Sequence, residues 1–131
     1  MSNYEYYSIL IKPSWSPPAW VFAPVWLILY ALIFISFGKI FYMYFKKEIP
    51  GKAALPFVLN LIFNFAFTPI QFGLKNNYLA SLDISGVLLT LIWGMFSIFP
   101  YIKWAVWINI PYLIWVSFAS ILQFTITWLN R

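Results

Sequence analysis

Four apolar segments, at about 19–45, 53–74, 80–101 and 104–129, dominate this chain. Each is close to the roughly 20 residues that cross a bilayer core at 1.5 Å rise per residue. Lys39 interrupts the first near its end, where a long stem lets the ammonium snorkel to the headgroups. Lipid offers no water to satisfy backbone groups, so a spanning segment is either a helix or part of a closed barrel. Strand-like alternation of apolar and polar residues is absent, which predicts helices. The links "KKEIPGK", "KNNY" and "PYIKW" are short, and short links force sequential helices to run antiparallel. The expectation is an all-α integral membrane protein: an up-and-down bundle of four transmembrane helices forming one domain over residues 1–131.

Composition agrees with a lipid-facing surface. Of the residues 63% are hydrophobic, 24% aromatic and only 8% charged, with a mean hydropathy of +0.83. Eight basic and three acidic side chains cannot cover a soluble domain of this size. The net charge of +5 does not mark a nucleic-acid binder, because the lysines are scattered at segment ends and form no patch. Lys39, Lys46, Lys47, Lys52 and Lys103 fall at one end of the expected bundle, and Lys12, Lys75 and Arg131 at the other. The positive-inside rule then puts the first group in the cytoplasm and both termini outside. With no cysteine and no histidine, disulfides, thiolate nucleophiles, imidazole bases and His or Cys metal ligands are excluded by inventory. The opening "MSNYEYYSIL" has neither the basic start nor the small-residue cleavage site of a secretory signal.

Within this frame, the stretch "KPSWSPPAWVFAPVWLILYALIF" sets prolines beside tryptophans at a helix entrance. "SPPAW" reads as an N-terminus, with Ser16 capping, Pro17 and Pro18 fixing the approach, and Trp15 and Trp20 at headgroup level. Pro24 and Trp26 lie past that belt. There a proline would kink the helix, and the Trp26 N–H would need a partner inside hydrocarbon. In the second segment Asn60, Asn64, Thr68 and Gln71, spaced by four, four and three, share one helical stripe. Buried amides are costly unless paired, so the stripe should face the interior, either as interhelical glue or as the lining of a pocket. The last segment offers Asn109, Pro111, Tyr112, Trp115 and Ala119, the small Ala119 leaving room beside the Trp115 ring. Gly86, Thr90 and Gly94 form a small-residue ridge in the third segment, within one chain or between two.

Three stretches, "YYSILIKPSWSPPAWVFAPVWLILYAL", "LNLIFNFAFTPIQFGLKNNYLASLD" and "IPYLIWVSFASILQFTITWLN", resemble successive signatures of the TspO/MBR family of tryptophan-rich sensory proteins, related to the mitochondrial translocator protein. The resemblance covers nearly the whole chain in the same order. It implies a five-helix bundle, commonly dimeric, in a membrane that for a bacterial member is the cell membrane. It also implies binding of tetrapyrroles such as protoporphyrin IX and, in some members, of sterols and benzodiazepine-type ligands. Position by position, Trp26, Asn64 and Trp115 match residues that contact ligand in the family, and Tyr30, Asn60, Tyr112 and Ala119 match the pocket lining. Only Met1 to Tyr6 precede the first signature, so four spans are expected where the family has five. One wall of the pocket would then come from a partner copy or from lipid, unless the start is trimmed. The sterol pattern of branched apolar residue, Tyr and basic residue is absent near the C-terminus, since no tyrosine follows Tyr112.

The resulting expectation is a membrane protein that binds a protoporphyrin IX-type tetrapyrrole and serves porphyrin sensing, handling or light-dependent degradation. The ring would stack on Trp26 and Trp115, take hydrogen bonds from Asn64 and the indole N–H groups, and turn its propionates toward Lys12. No cofactor is obligatory. The porphyrin is ligand or substrate, metal-free porphyrin fitting a chain without His or Cys better than haem. Were turnover to occur, the porphyrin would supply the photochemistry and Trp26 and Trp115 would be the catalytic candidates, with binding and incidental bleaching as the other outcome. Two further classes stay open: a structural or partner-binding membrane protein, and a small four-helix transporter. Proton-coupled export needs an intramembrane carboxylate. Only Asp83 offers one, and its place near a segment end reads more simply as a solvated helix start.

Overall fold

The computed structural model describes residues 9–130, so Glu5 and Arg131 lie outside the described residues. It contains four helical spans long and apolar enough to cross a membrane, and among the described residues no strand. Helix α1 covers Phe22–Phe45, α2 Gly51–Thr68 and α3 Asn77–Ile98. The fourth span is broken into α4, Lys103–Ile108, and α5, Ile110–Leu129. The protein is a multi-pass, all-α membrane protein.

Cross-helix pairs establish the up-and-down order. Tyr30 meets Asn64 and Phe37 meets Phe57, so α1 and α2 run antiparallel. Gly86 faces Phe63 and Gly94 faces Phe57, so α2 and α3 do the same. Asn109 donates to Ser36 Oγ (2.9 Å) while Trp115 lies against Trp26, which returns α5 alongside α1 and closes a ring of four. Lys12 and Lys75 therefore belong to one end of the bundle, and Lys46, Lys47, Lys52 and Lys103 to the other.

The helix entrance differs from the sequence expectation. Ser16 does not cap α1: its N–H closes a turn on the Pro13 carbonyl (3.1 Å), and a 3-10 turn at Ala19–Val21 leads straight into the helix. Pro24 is then the third residue of α1, where the missing N–H is one the first turn does not use, so no deep kink is required of it. Helix disruption occurs at two other prolines. Pro69 opens a π turn, Pro69–Gly73, in which the Leu74 N–H reaches the Pro69 carbonyl at 2.9 Å. Pro111 follows the α4–α5 break, where the Asn109 amide bonds back to the Ala105 carbonyl at 2.7 Å.

The glycine ridge packs inside the chain. A Cβ on Gly94 would stand 2.8 Å from the Phe57 ring, which is fully buried and edge-on to Phe37 at 4.9 Å. A Cβ on Gly86 would meet the Phe63 ring at 3.0 Å. The absent side chains let α2 and α3 approach closely through aromatic rings, the form of contact on which association in lipid depends. Asp83 corrects another expectation. It is not a solvated helix start but only 5% exposed, and its Oδ2 has no partner among the described residues. The Gly94–Phe57 and Gly86–Phe63 register puts it on the α2-facing side of α3, about level with Phe67.

Gly94→Ala should overpack this seam and destabilise the bundle by about 1–3 kcal/mol, while Gly38→Ala, with open space around it, should not. Unfolding midpoints in detergent, measured side by side, provide the check.

Candidate functional site

The close α2–α3 seam fills one half of the bundle. Toward the end where α1 begins, the helices enclose a cavity of about 400 Å3. Its walls come from every span and from Leu10, which packs on Leu122 and Ile126 of α5. The segment bearing Leu10 is stitched to the end of α5 by reciprocal bonds, Ile11 N–H to Asn130 Oδ1 (3.1 Å) and Asn130 Nδ2 to the Ile11 carbonyl (2.8 Å). Ala23, Tyr30 and Thr68 are exposed residues of the lining, which gives the cavity a mouth on the bundle surface. No lining residue carries a formal charge.

Of the seven residues singled out from sequence, five line the cavity: Trp26, Tyr30, Asn64, Trp115 and Ala119. The other two, Asn60 and Tyr112, are fully buried and are not among the lining residues. They belong to a hydrogen-bonded ladder that starts at the cavity. The Tyr30 hydroxyl donates to Asn64 Oδ1 (2.8 Å), Asn64 Nδ2 donates to the Tyr112 hydroxyl (2.7 Å), and that hydroxyl donates to Asn60 Oδ1 (2.9 Å). Asn60 Nδ2 finishes on α3, at the Val87 carbonyl (2.9 Å) and Thr90 Oγ1 (3.2 Å). Four spans are thereby connected through two carboxamides and two phenols. Asn60 uses both of its N–H groups on this ladder, whereas Asn64 uses one and keeps the other free among the described residues.

The indoles are set at right angles. Trp26 and Trp115 have ring centroids 6.5 Å apart and an interplanar angle of 89°. One flat guest could not lie face to face with both rings at once, as the sequence reading expects it to. Tyr30 lies 5.4 Å from Trp26 at a tilt of 30°. Phe22 and Phe118 hold Trp115 edge-on and tilted at 5.7 Å and 5.6 Å. A buried indole N–H normally finds an acceptor, and Trp115 Nε1, although buried, has none among the described residues.

Gln71 and Gln123, lining residues not among the seven expected from sequence, form a second polar group. Gln123 Nε2 donates to Gln71 Oε1 (3.2 Å) and to Thr127 Oγ1 (3.2 Å), while Gln71 Nε2 donates to Asn77 Oδ1 (2.9 Å). Ser81 and Thr127 share a 2.7 Å bond beside them. Gln71 was visible as the last member of the α2 stripe. Gln123 had a legible signal too, since it lies four residues after Ala119 and eight after Trp115 on the same face of α5. Asn109 does not line the cavity; it ties the α4–α5 break to α1. Lys12 is held near the cavity by a bond from Nζ to the carbonyl of the lining residue Leu10 (3.1 Å).

The fold and site thus define a helical membrane protein, with four spans among the described residues, and a mostly apolar, aromatic cavity with an uncharged polar end, of a size suited to a small molecule. Comparison with known sequences narrows the class. Residues 1–129 match the TspO/MBR family, and the chain belongs to it. It is 35% identical over 125 residues to the tryptophan-rich protein TspO of Chlorobaculum tepidum, covering 95% of this chain and 79% of that one. With the tryptophan-rich protein TspO of Bacillus cereus it shares 40% identity over 126 residues, 95% of this chain and 80% of the relative. The human translocator protein is 33% identical over 131 residues, 93% of this chain and 73% of its own length.

Replacing Asn60 by Leu should cost about 1–3 kcal/mol, because it leaves the buried Tyr112 hydroxyl without its acceptor. Tyr30→Phe, at the half-exposed end of the same ladder, should cost less than about 1 kcal/mol. Equal losses of thermal stability in the two variants would show that the ladder does not bear on folding in this order.

Proposed function

We propose that the protein binds a flat, apolar tetrapyrrole of the protoporphyrin IX type in this cavity, within a bacterial cell membrane. The observation that carries the reading is the Trp115 Nε1–H, buried and unused beside a cavity framed by perpendicular indoles. A planar ring lying on one indole meets the edge of the other, where such a donor bonds a ring nitrogen or a peripheral oxygen of the guest. Asn64, another lining residue, supplies its remaining N–H. The propionates turn to the end that carries Lys12, where headgroups and water receive them. The names of the relatives, a sensory protein among them, and the tetrapyrrole binding that the family resemblance implies support this over a structural role.

Light-dependent degradation of the bound ring is the finer part of the reading. The porphyrin would supply the excited state and molecular oxygen the oxidant, and Trp26, Trp115 and Tyr30 are oxidisable groups that line the cavity. A second reading, proton-coupled export, is favoured by one observation: the carboxyl of Asp83 is buried inside a span with Oδ2 unpaired.

Titration with protoporphyrin IX, followed by tryptophan quenching, should saturate. Trp115→Phe should weaken binding about three- to tenfold, the worth of one lost hydrogen bond. Equal affinity in a Trp26→Phe, Asn64→Ala, Trp115→Phe variant would remove the cavity from consideration. For turnover, bleaching under illumination should run faster with the protein than in detergent alone, and equal rates would end that part of the reading. Porphyrin uptake into proteoliposomes that needs a proton gradient and is lost in Asp83→Asn would favour export.

A further inference from the structure

The polar end of the cavity is made of carboxamides, and their spare hydrogen-bonding capacity has a pattern. Gln71 and Gln123 are 3% and 4% exposed, come from different spans, and both line the cavity. Gln71 Nε2 has two hydrogens and uses one, on Asn77 Oδ1. Gln123 Nε2 is fully committed to Gln71 Oε1, Thr127 Oγ1 and the Asn77 carbonyl, whereas Gln123 Oε1 accepts from none of the described residues. The pair therefore presents one free donor and one free acceptor, on side chains joined by a 3.2 Å bond. An ionised carboxylate is the wrong complement. It would set a charge against the Gln123 oxygen in a cavity whose lining holds no cation to offset it, and burying such a charge is costly.

Building on the tetrapyrrole reading, we infer that Gln71 and Gln123 form a specificity-determining subsite for a neutral peripheral group that both accepts and donates a hydrogen bond, an amide or an undissociated carboxylic acid. The free Gln71 N–H meets the carbonyl of that group, and its N–H or O–H meets Gln123 Oε1. An ester keeps the carbonyl but has no hydrogen to give, so it leaves the Gln123 oxygen unpaired and binds less well. Ionised side chains of the same ring are turned away from the subsite toward the mouth.

The test compares the diamide and the dimethyl ester of protoporphyrin IX on the whole chain in detergent micelles, with tryptophan quenching as readout. The diamide is expected to bind about tenfold more tightly than the ester. In Gln123→Leu, which removes the oxygen that only the diamide can use, the two porphyrins should converge while affinity for the ester stays within about twofold of the parent, whereas in Gln71→Leu, which removes the donor that both carbonyls use, both should weaken and the preference should remain. Equal affinities for the two porphyrins in the unaltered protein would overturn the inference without any variant. A tenfold preference that survives in Gln123→Leu would overturn it as well. Saturable ester binding with no diamide preference leaves the tetrapyrrole reading standing and removes only the subsite, whereas failure of every porphyrin to saturate removes both.

Discussion

A carboxamide inside hydrocarbon brings two hydrogens and two lone-pair sites and has no water with which to satisfy them. That constraint organises this bundle. Asn60 and Asn64 would be a liability on a lipid-facing stripe; turned inward, they bridge Tyr30, Tyr112 and the α3 backbone and so bring all four spans to one place. Individual hydrogen bonds between membrane helices are weak, on the order of 0.6 kcal/mol each. Their leverage comes from specificity, because a slip of any one helix by a single residue would leave several buried polar atoms unpaired.

The same molecule is tight at one end and open at the other for sequence-local reasons. Along α2 and α3 the absent side chains of Gly86 and Gly94 receive the rings of Phe63 and Phe57, and the seam closes. Beyond Asn64 the α2 path widens through the Pro69–Gly73 π turn, and α5 offers Ala119 where a larger side chain would fill the space. The indoles that frame the resulting void are braced by neighbouring rings, Trp26 by Tyr30 and Trp115 by Phe22 and Phe118. A cavity with such walls keeps its shape when empty, which lowers the ordering cost of admitting a guest.

Much of this was legible in the sequence. The spans follow from unbroken apolar length, and the inward stripe of Asn60, Asn64, Thr68 and Gln71 follows from helical spacing alone. The family resemblance implies Asn60 and Tyr112 as lining, whereas both stand behind the cavity wall, a depth that helical spacing does not disclose. Angles between rings are equally invisible, and the crossed indoles could not be foreseen from the presence of two tryptophans. Ser16 and Pro24 misled because proline signals mark a helix entrance without fixing which turn begins it. Asp83 misled because its distance from the segment end says nothing about which face of α3 it occupies. Gln123 was overlooked beside more conspicuous aromatic neighbours, although its spacing from Ala119 already put it on their face.

The uncharged lining also bears on energetics at the scale of the cell. Moving a unit charge through the full membrane potential involves about 2.3 kcal/mol per 100 mV, but a neutral guest entering a neutral chamber from the acyl chains does no such electrical work. For a wholly neutral guest, occupancy of such a chamber would follow how much of that guest is dissolved in the bilayer, whether the membrane is energised or collapsed.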